Sequence, residues 1–195
     1  MEERDRFFKG NLTPKEFKKE WNPYLECWLD YTLPINNNTN LNSLTKEFLR
    51  NGFPKELYSI FTFNSRFTTL SEKLFDPSID KYLIFGYNYS YPICIDTNNN
   101  DRIVLIDTLN DYGSVSRSES VIDQSVSIIN TNIIEFSASI LECKYYLQLI
   151  DYNFEDSSEK QKNDLLNRLR LINPNIFNET DYWHDMIINN EWLQA

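Results

Sequence analysis

Apolar residues at Ile133, Phe136, Ile140, Cys143, Leu147 and Ile150 step by three and four, the spacing that lines one stripe of a helix. Asn132 precedes the run as a cap and Glu135 follows it in the first turn, so the long helix is expected to begin there. Thr13-Pro14-Lys15-Glu16 offers an earlier start: Thr13 caps, Pro14 suits the first turn, and Glu16 completes a capping box ahead of Phe17 and Trp21. Pro23 ends or kinks that helix, and Asn36-Asn37-Asn38 marks a loop. Leu41, Leu44, Phe48 and Leu49 return to helical spacing until Asn51-Gly52-Phe53-Pro54 stops them. Ser158 caps a helix carrying Leu165, Leu166, Leu169 and Ile172, which Pro174 closes, and a last helix is expected from near Thr180 through Trp183, Ile187 and Trp192.

The centre reads differently. Leu57 to Phe63, Tyr82 to Tyr87, Pro92 to Asp96 and Ile103 to Asp107 are short runs of β-branched and aromatic residues, and Asn98-Asn99-Asn100-Asp101 is a hairpin turn signal between two of them. In Val121 to Ile129 the serines Ser125 and Ser127 alternate with Val126 and Ile128, as in a strand with one exposed face. Consecutive strands joined by short turns predict an α+β fold, with a largely antiparallel sheet of about five to six strands flanked by N-terminal and C-terminal helices. With no internal repeat and no dividing linker, the expected organisation is one domain over residues 1–195, in which 151–195 form a C-terminal helical extension.

Composition agrees with a packed chain. Of 195 residues 41% are hydrophobic, with 13 Phe, 12 Tyr and 4 Trp to build a core, which argues against disorder. The 29 acidic residues outweigh 19 basic ones for a net charge of −10, which disfavours nucleic acid and favours a basic partner. Cys27, Cys94 and Cys143 are odd in number and far apart, so they are expected to be small buried hydrophobes in a reducing, cytoplasmic setting. The charged N-terminus lacks the apolar core of a signal peptide, and no window approaches the ~20 apolar residues of a membrane span.

Candidate chemistry is thin. Gly10, Gly52, Gly86 and Gly113 are isolated, whereas a phosphate-binding loop needs glycines in close order. His184 has no matching nucleophile motif, and one His with three scattered Cys falls short of a zinc site, so no catalytic residue, cofactor or metal is expected. Asp96, Asp101, Asp107 and Asp111 surround a hairpin, where they could be solvated turn acids, a catalytic pair, calcium ligands or a charged rim for a partner. In Phe85 to Pro92 the aromatics recur at every second residue. A continuous strand would set Tyr87, Tyr89 and Tyr91 on one face, either as a sticky, hydrogen-bonding surface or as a cover for the core beneath a helix. The candidate partner-binding residues are therefore Tyr87, Tyr89, Tyr91, Asp96, Asp101 and Asp111.

Four stretches resemble the SUKH superfamily, known largely for bacterial immunity proteins against polymorphic toxins: Phe48-Leu49-Arg50-Asn51-Gly52-Phe53-Pro54; Tyr82-Leu83-Ile84-Phe85-Gly86; Pro92-Ile93-Cys94-Ile95-Asp96 with Val104 across the hairpin; and Ile129-Asn130-Thr131-Asn132-Ile133-Ile134-Glu135-Phe136. Their order and spacing carry the likeness, over roughly residues 45–150. The family often has a second glycine shortly after the first, where this chain has Ser90 among tyrosines. The resemblance implies an α+β sheet with flanking helices, no enzymatic activity, and neutralisation by direct binding of a cognate toxin, a class in which basic nucleases are frequent. The alternatives are a regulatory interaction scaffold and a hydrolase built on the hairpin carboxylates.

Overall fold

The computed structural model describes residues 12–21, 28–32, 35, 40–70, 80–107, 126–153, 159–175 and 182–188. Thr13 and Glu16 make the capping box that starts α1, Pro14–Trp21: the Thr13 N–H donates to Glu16 Oε2 at 3.0 Å, and the Glu16 N–H to Thr13 Oγ1 at 3.3 Å. Strand β1, Trp28–Leu29, pairs antiparallel with β2, Phe53–Pro54. Between them lies α2, Ser43–Arg50, whose cap Asn42 accepts the Thr45 N–H at 2.9 Å. It stops at Gly52, which takes φ +85° and donates to the Leu49 carbonyl at 2.8 Å. A Cβ there would lie 2.1 Å from Trp28 Nε1, the indole nitrogen that bonds the Asn51 carbonyl at 2.9 Å. Backbone and neighbour thus both require glycine.

Six strands follow in sequence order, each antiparallel to the next: β3 Glu56–Leu57, β4 Phe61–Thr69, β5 Tyr82–Asn88, β6 Tyr91–Asp96, β7 Arg102–Ile106 and β8 Val126–Asn130. The strand expected over Leu57 to Phe63 is instead two strands. A turn at Tyr58–Ile60 breaks it, because pairing Leu57 with Phe61 folds the chain back on itself. Alternation sends Phe61, Phe63, Leu83, Phe85, Ile93, Ile95 and Ile103 into the main core, while Tyr82, Ile84, Cys94, Val104 and Ile106 form a smaller cluster with Leu70. Gly86 sits where β4 and β5 approach closely, and a Cβ on it would meet the Thr62 carbonyl oxygen at 2.4 Å.

Helix α3, Ile133–Asn153, packs on the sheet's main-core face. The sequence stripe is buried at Ile133, Phe136, Ile140, Cys143 and Leu147 and half-buried at Ile150. Burial goes further than a stripe, however: every residue from Phe136 to Cys143 is enclosed. Small side chains at Ser137, Ala138 and Ser139 let other elements close in, and α1, α2 and a fourth helix, α4, Glu159–Ile172, all pack against α3. The fifth helix, α5, Tyr182–Ile188, packs on α4 and β8; its Trp183 indole donates to the Ile129 carbonyl at 3.2 Å and covers part of the sheet edge. Leu165, Leu169, Ile172, Trp183 and Ile187 belong to the same apolar cluster as the sheet, so the C-terminal helices share its core.

The fold is α+β, and among the described residues no helix is long and apolar enough to cross a membrane. The expectations at Pro23, Cys27, Asn36 to Asn38, Asp111, Val121 to Ser125, Ser158, Thr180 and Trp192 lie outside the described residues.

Candidate functional site

Of the hairpin acids, Asp96 and Asp101 are buried and do not form a solvent-facing rim. Asp96 is 0% exposed: its Oδ1 accepts the Asn98 N–H at 3.3 Å, and its Oδ2 accepts Asn99 Nδ2 at 2.7 Å, Arg102 Nε at 3.0 Å and Arg102 Nη2 at 2.9 Å. The carboxylate organises the β6–β7 turn from within. Asp101 is 1% exposed and left-handed at φ +58°, a conformation Asp and Asn tolerate better than most residues. Its carboxylate accepts the Asn42 N–H at 2.7 Å, and the Asn100 carbonyl accepts Asn42 Nδ2 at 3.3 Å, so the turn clamps the start of α2. Asp107 is half-buried just past the end of β7.

Burial holds the Asp101 carboxyl above the usual carboxylate range, the charge of Asp96 adds to that, and the Asn42 N–H opposes it. An acid with a raised folded pKa binds more protons folded than unfolded, so its contribution favours the fold at low pH and fades as pH rises through the folded value. Asp101→Asn keeps an acceptor for Asn42 without the charge. Urea unfolding free energies measured from about pH 4 to pH 7 should fall less with pH in the variant than in the parent. Parallel pH curves would refute this role.

The tyrosines do not share one face either. Strand β5 ends at Asn88, and Tyr89 enters a two-residue turn at φ +51°. Tyr87 is half-buried against the smaller apolar cluster, while Tyr91 pairs with the buried Asn88 on the opposite side of the sheet. Only Tyr89 of the three is well exposed, at 37%. Its neighbour in space is the β3–β4 turn, inside the Leu57 to Phe63 stretch whose composition predicts a continuous strand. There Tyr58 and Ser59 are both left-handed, at φ +48° and +59°, and Tyr58 is 45% exposed.

One backbone oxygen joins the two turns: the Ile60 carbonyl accepts the Tyr89 N–H at 3.1 Å and Asn88 Nδ2 at 3.1 Å. Left-handed backbone in two consecutive non-glycine residues costs on the order of 1–3 kcal/mol each and persists only where the surroundings enforce it. The result is a rigid platform at one end of the sheet that presents two tyrosines, with the exposed Glu56 close by in sequence. Aromatic side chains on a pre-set backbone lose little conformational freedom on binding, which suits a protein-contact surface. Tyr58 was missed in the sequence because Leu57 to Phe63, rich in aromatics, looks like strand throughout; no glycine or asparagine marks the turn.

The remaining candidates are structural or exposed. Cys94 and Cys143 are buried free thiols, and burial together with adjacent Glu142 raises the Cys143 pKa well above its ordinary value. His184 is exposed on α5, 3.7 Å from Asp185. Among the described residues no three His, Cys, Asp or Glu side chains gather as metal ligands would. Compared with known proteins, the chain matches no protein family, no curated protein and no solved structure.

Proposed function

We propose that this chain is an immunity-type protein that neutralises a cognate toxin domain by direct binding, with the Tyr58–Tyr89 platform as its contact face. The observation that carries the reading is the pairing of two exposed tyrosines on adjacent turns, one of them strained at two consecutive non-glycine residues. The stretches that resemble the SUKH superfamily fall at the α2–β2 junction, on β5, on β6 and at the β8–α3 junction. The Asp96 and Asp101 carboxylates are engaged by Arg102 and by the α2 cap, which weakens a hydrolase alternative built on that pair. A net charge of −10 would steer the protein toward a basic partner.

The test is co-expression with the toxin domain encoded beside its gene. Growth should be restored and a complex recovered. The Tyr58→Ala/Tyr89→Ala double variant should stay folded by thermal melting and lose about 2 kcal/mol or more of affinity, mainly through a faster off-rate. Raising salt should slow association of the parent protein, because the Debye length falls from about 10 Å at 0.1 M to about 3 Å at 1 M. A folded double variant that binds and protects normally would place the contact elsewhere, and failure of the parent to bind or protect would refute the function.

A further inference from the structure

β3 is the terminal strand of the six, and the register sets Glu56 opposite Thr62 and Thr62 opposite Tyr87. Residues directly opposed on antiparallel strands share a face, so these three form one row, on the side away from Phe61 and Phe63 and the main core. Glu56 and Thr62 are exposed and Tyr87 is half-buried, whereas Pro92, next in the row on β6, is buried. The row is therefore open at its outer end. Glu56 and Tyr87 there stand two residues before Tyr58 and Tyr89, the tyrosines of the two turns. We propose that this rim receives a lysine or arginine side chain of the partner, with Glu56 as its charged anchor.

Register, ring chemistry and net charge favour that ligand. Lys55 is exposed and adjacent to Glu56 in sequence, but its carbonyl accepts the Phe63 N–H at 2.8 Å. That bond continues the strand register and sets Lys55 on the face of Phe63, opposite to Glu56. The row thus presents a carboxylate without its basic sequence neighbour. Adjacent strands lie about 5 Å apart, so the row spans about 10 Å from Glu56 to Tyr87. Tyrosine faces attract cations, and the rings offer an aliphatic stem apolar surface to lie along while its charged head meets the carboxylate. The left-handed backbone at Tyr58 and Tyr89, joined through the Ile60 carbonyl, holds these turns in place before a partner arrives. A net charge of −10 draws a basic partner to the whole surface; Glu56 decides where one of its cations docks.

This rests on the toxin-binding reading and adds the chemistry of the contact. Parent, Tyr58→Ala/Tyr89→Ala, Glu56→Gln and Glu47→Gln proteins are first shown to be folded by thermal melting. Their on- and off-rates are then measured against the toxin domain encoded beside the gene. Glu47 lies exposed on α2, and losing either glutamate changes the net charge equally, so the pair separates a local contact from long-range steering. Glu56→Gln should weaken binding by about tenfold or more, mainly through a faster off-rate, as loss of a hydrogen bond to a charged group does. Glu47→Gln should slow association by about twofold or less and leave the off-rate alone. Replacing the exposed lysines and arginines of the toxin domain one at a time should reveal one whose loss makes parent and Glu56→Gln bind alike. Equal effects of the two glutamine variants, or no such partner residue, would overturn the proposal, and an impaired tyrosine variant would then leave the function standing. A parent protein that does not bind the toxin refutes the function and this inference with it.

Discussion

Phe136→Ala should destabilise the protein by on the order of 3–5 kcal/mol, seen as a large drop in denaturant midpoint with an unchanged slope. The ring sits where α3 meets the sheet, with centroids 6.2 Å from Phe61, 6.1 Å from Phe63, 6.3 Å from Phe85 and 6.4 Å from Phe53. Phe53 in turn lies 4.8 Å from both Phe63 and Phe85 and 5.2 Å from Phe17, which links α1, β2, β4, β5 and α3 through one aromatic cluster. Removing Phe136 leaves a void bounded by rings that cannot collapse without losing their edge-to-face contacts with one another, so the cavity cost adds to the lost burial. Phe136→Leu retains most of the volume and should cost distinctly less. A midpoint unmoved by the alanine variant would mean that the helix is not seated on the sheet through this residue.

Asp96→Ala should cost a similar amount, about 3–5 kcal/mol, for a different reason. The substitution removes no large apolar surface. It leaves the Arg102 guanidinium, 30% exposed, and the Asn99 amide without the oxygen that holds both, and it releases the Asn98 N–H at the same time. Because the β6–β7 turn also carries Asp101 to the start of α2, loosening it should spread: hydrogen exchange should accelerate in Asn98 to Arg102 and at Asn42 and Thr45. Asp96→Asn, which keeps one acceptor but loses the charge-assisted pair, should fall between parent and alanine variant. An alanine variant as stable as the parent would show that Arg102 and the turn find replacement partners in solvent.

What could be read from the chain was what depends on neighbours in sequence. The capping box at Thr13 and Glu16, the Asn132 cap that accepts the Glu135 N–H at 3.0 Å, the glycine stop at Gly52 and the stripe from Ile133 to Leu147 are local: each is set by backbone groups within a turn or by a helical period. The Asn98 to Asp101 turn was legible for the same reason, and so were the strands on either side of it. Even here, tertiary contacts adjusted the detail. Glu135 turns its carboxylate to the Thr131 N–H, at 3.1 Å, and to the Asn173 amide beyond the end of α4, so the start of one helix is tied to the end of another.

The candidate site was legible only in its residue types. Tyrosine periodicity suggested one face, but strand β5 ends at Asn88 and the chain turns there, so Tyr87, Tyr89 and Tyr91 separate. Tyr58 joins Tyr89 through the Ile60 carbonyl, a contact between two turns nearly thirty residues apart that no local pattern encodes. The acids of the hairpin looked like solvated charges because most aspartates are; only the arrival of Arg102 and the α2 cap makes burying Asp96 and Asp101 tolerable. The enclosure of α3 from Phe136 to Cys143 has the same origin. Sequence period reports the first face a helix buries, whereas the packing of α1, α2 and α4 against the others is decided by long-range docking, where small residues permit close approach but do not announce it.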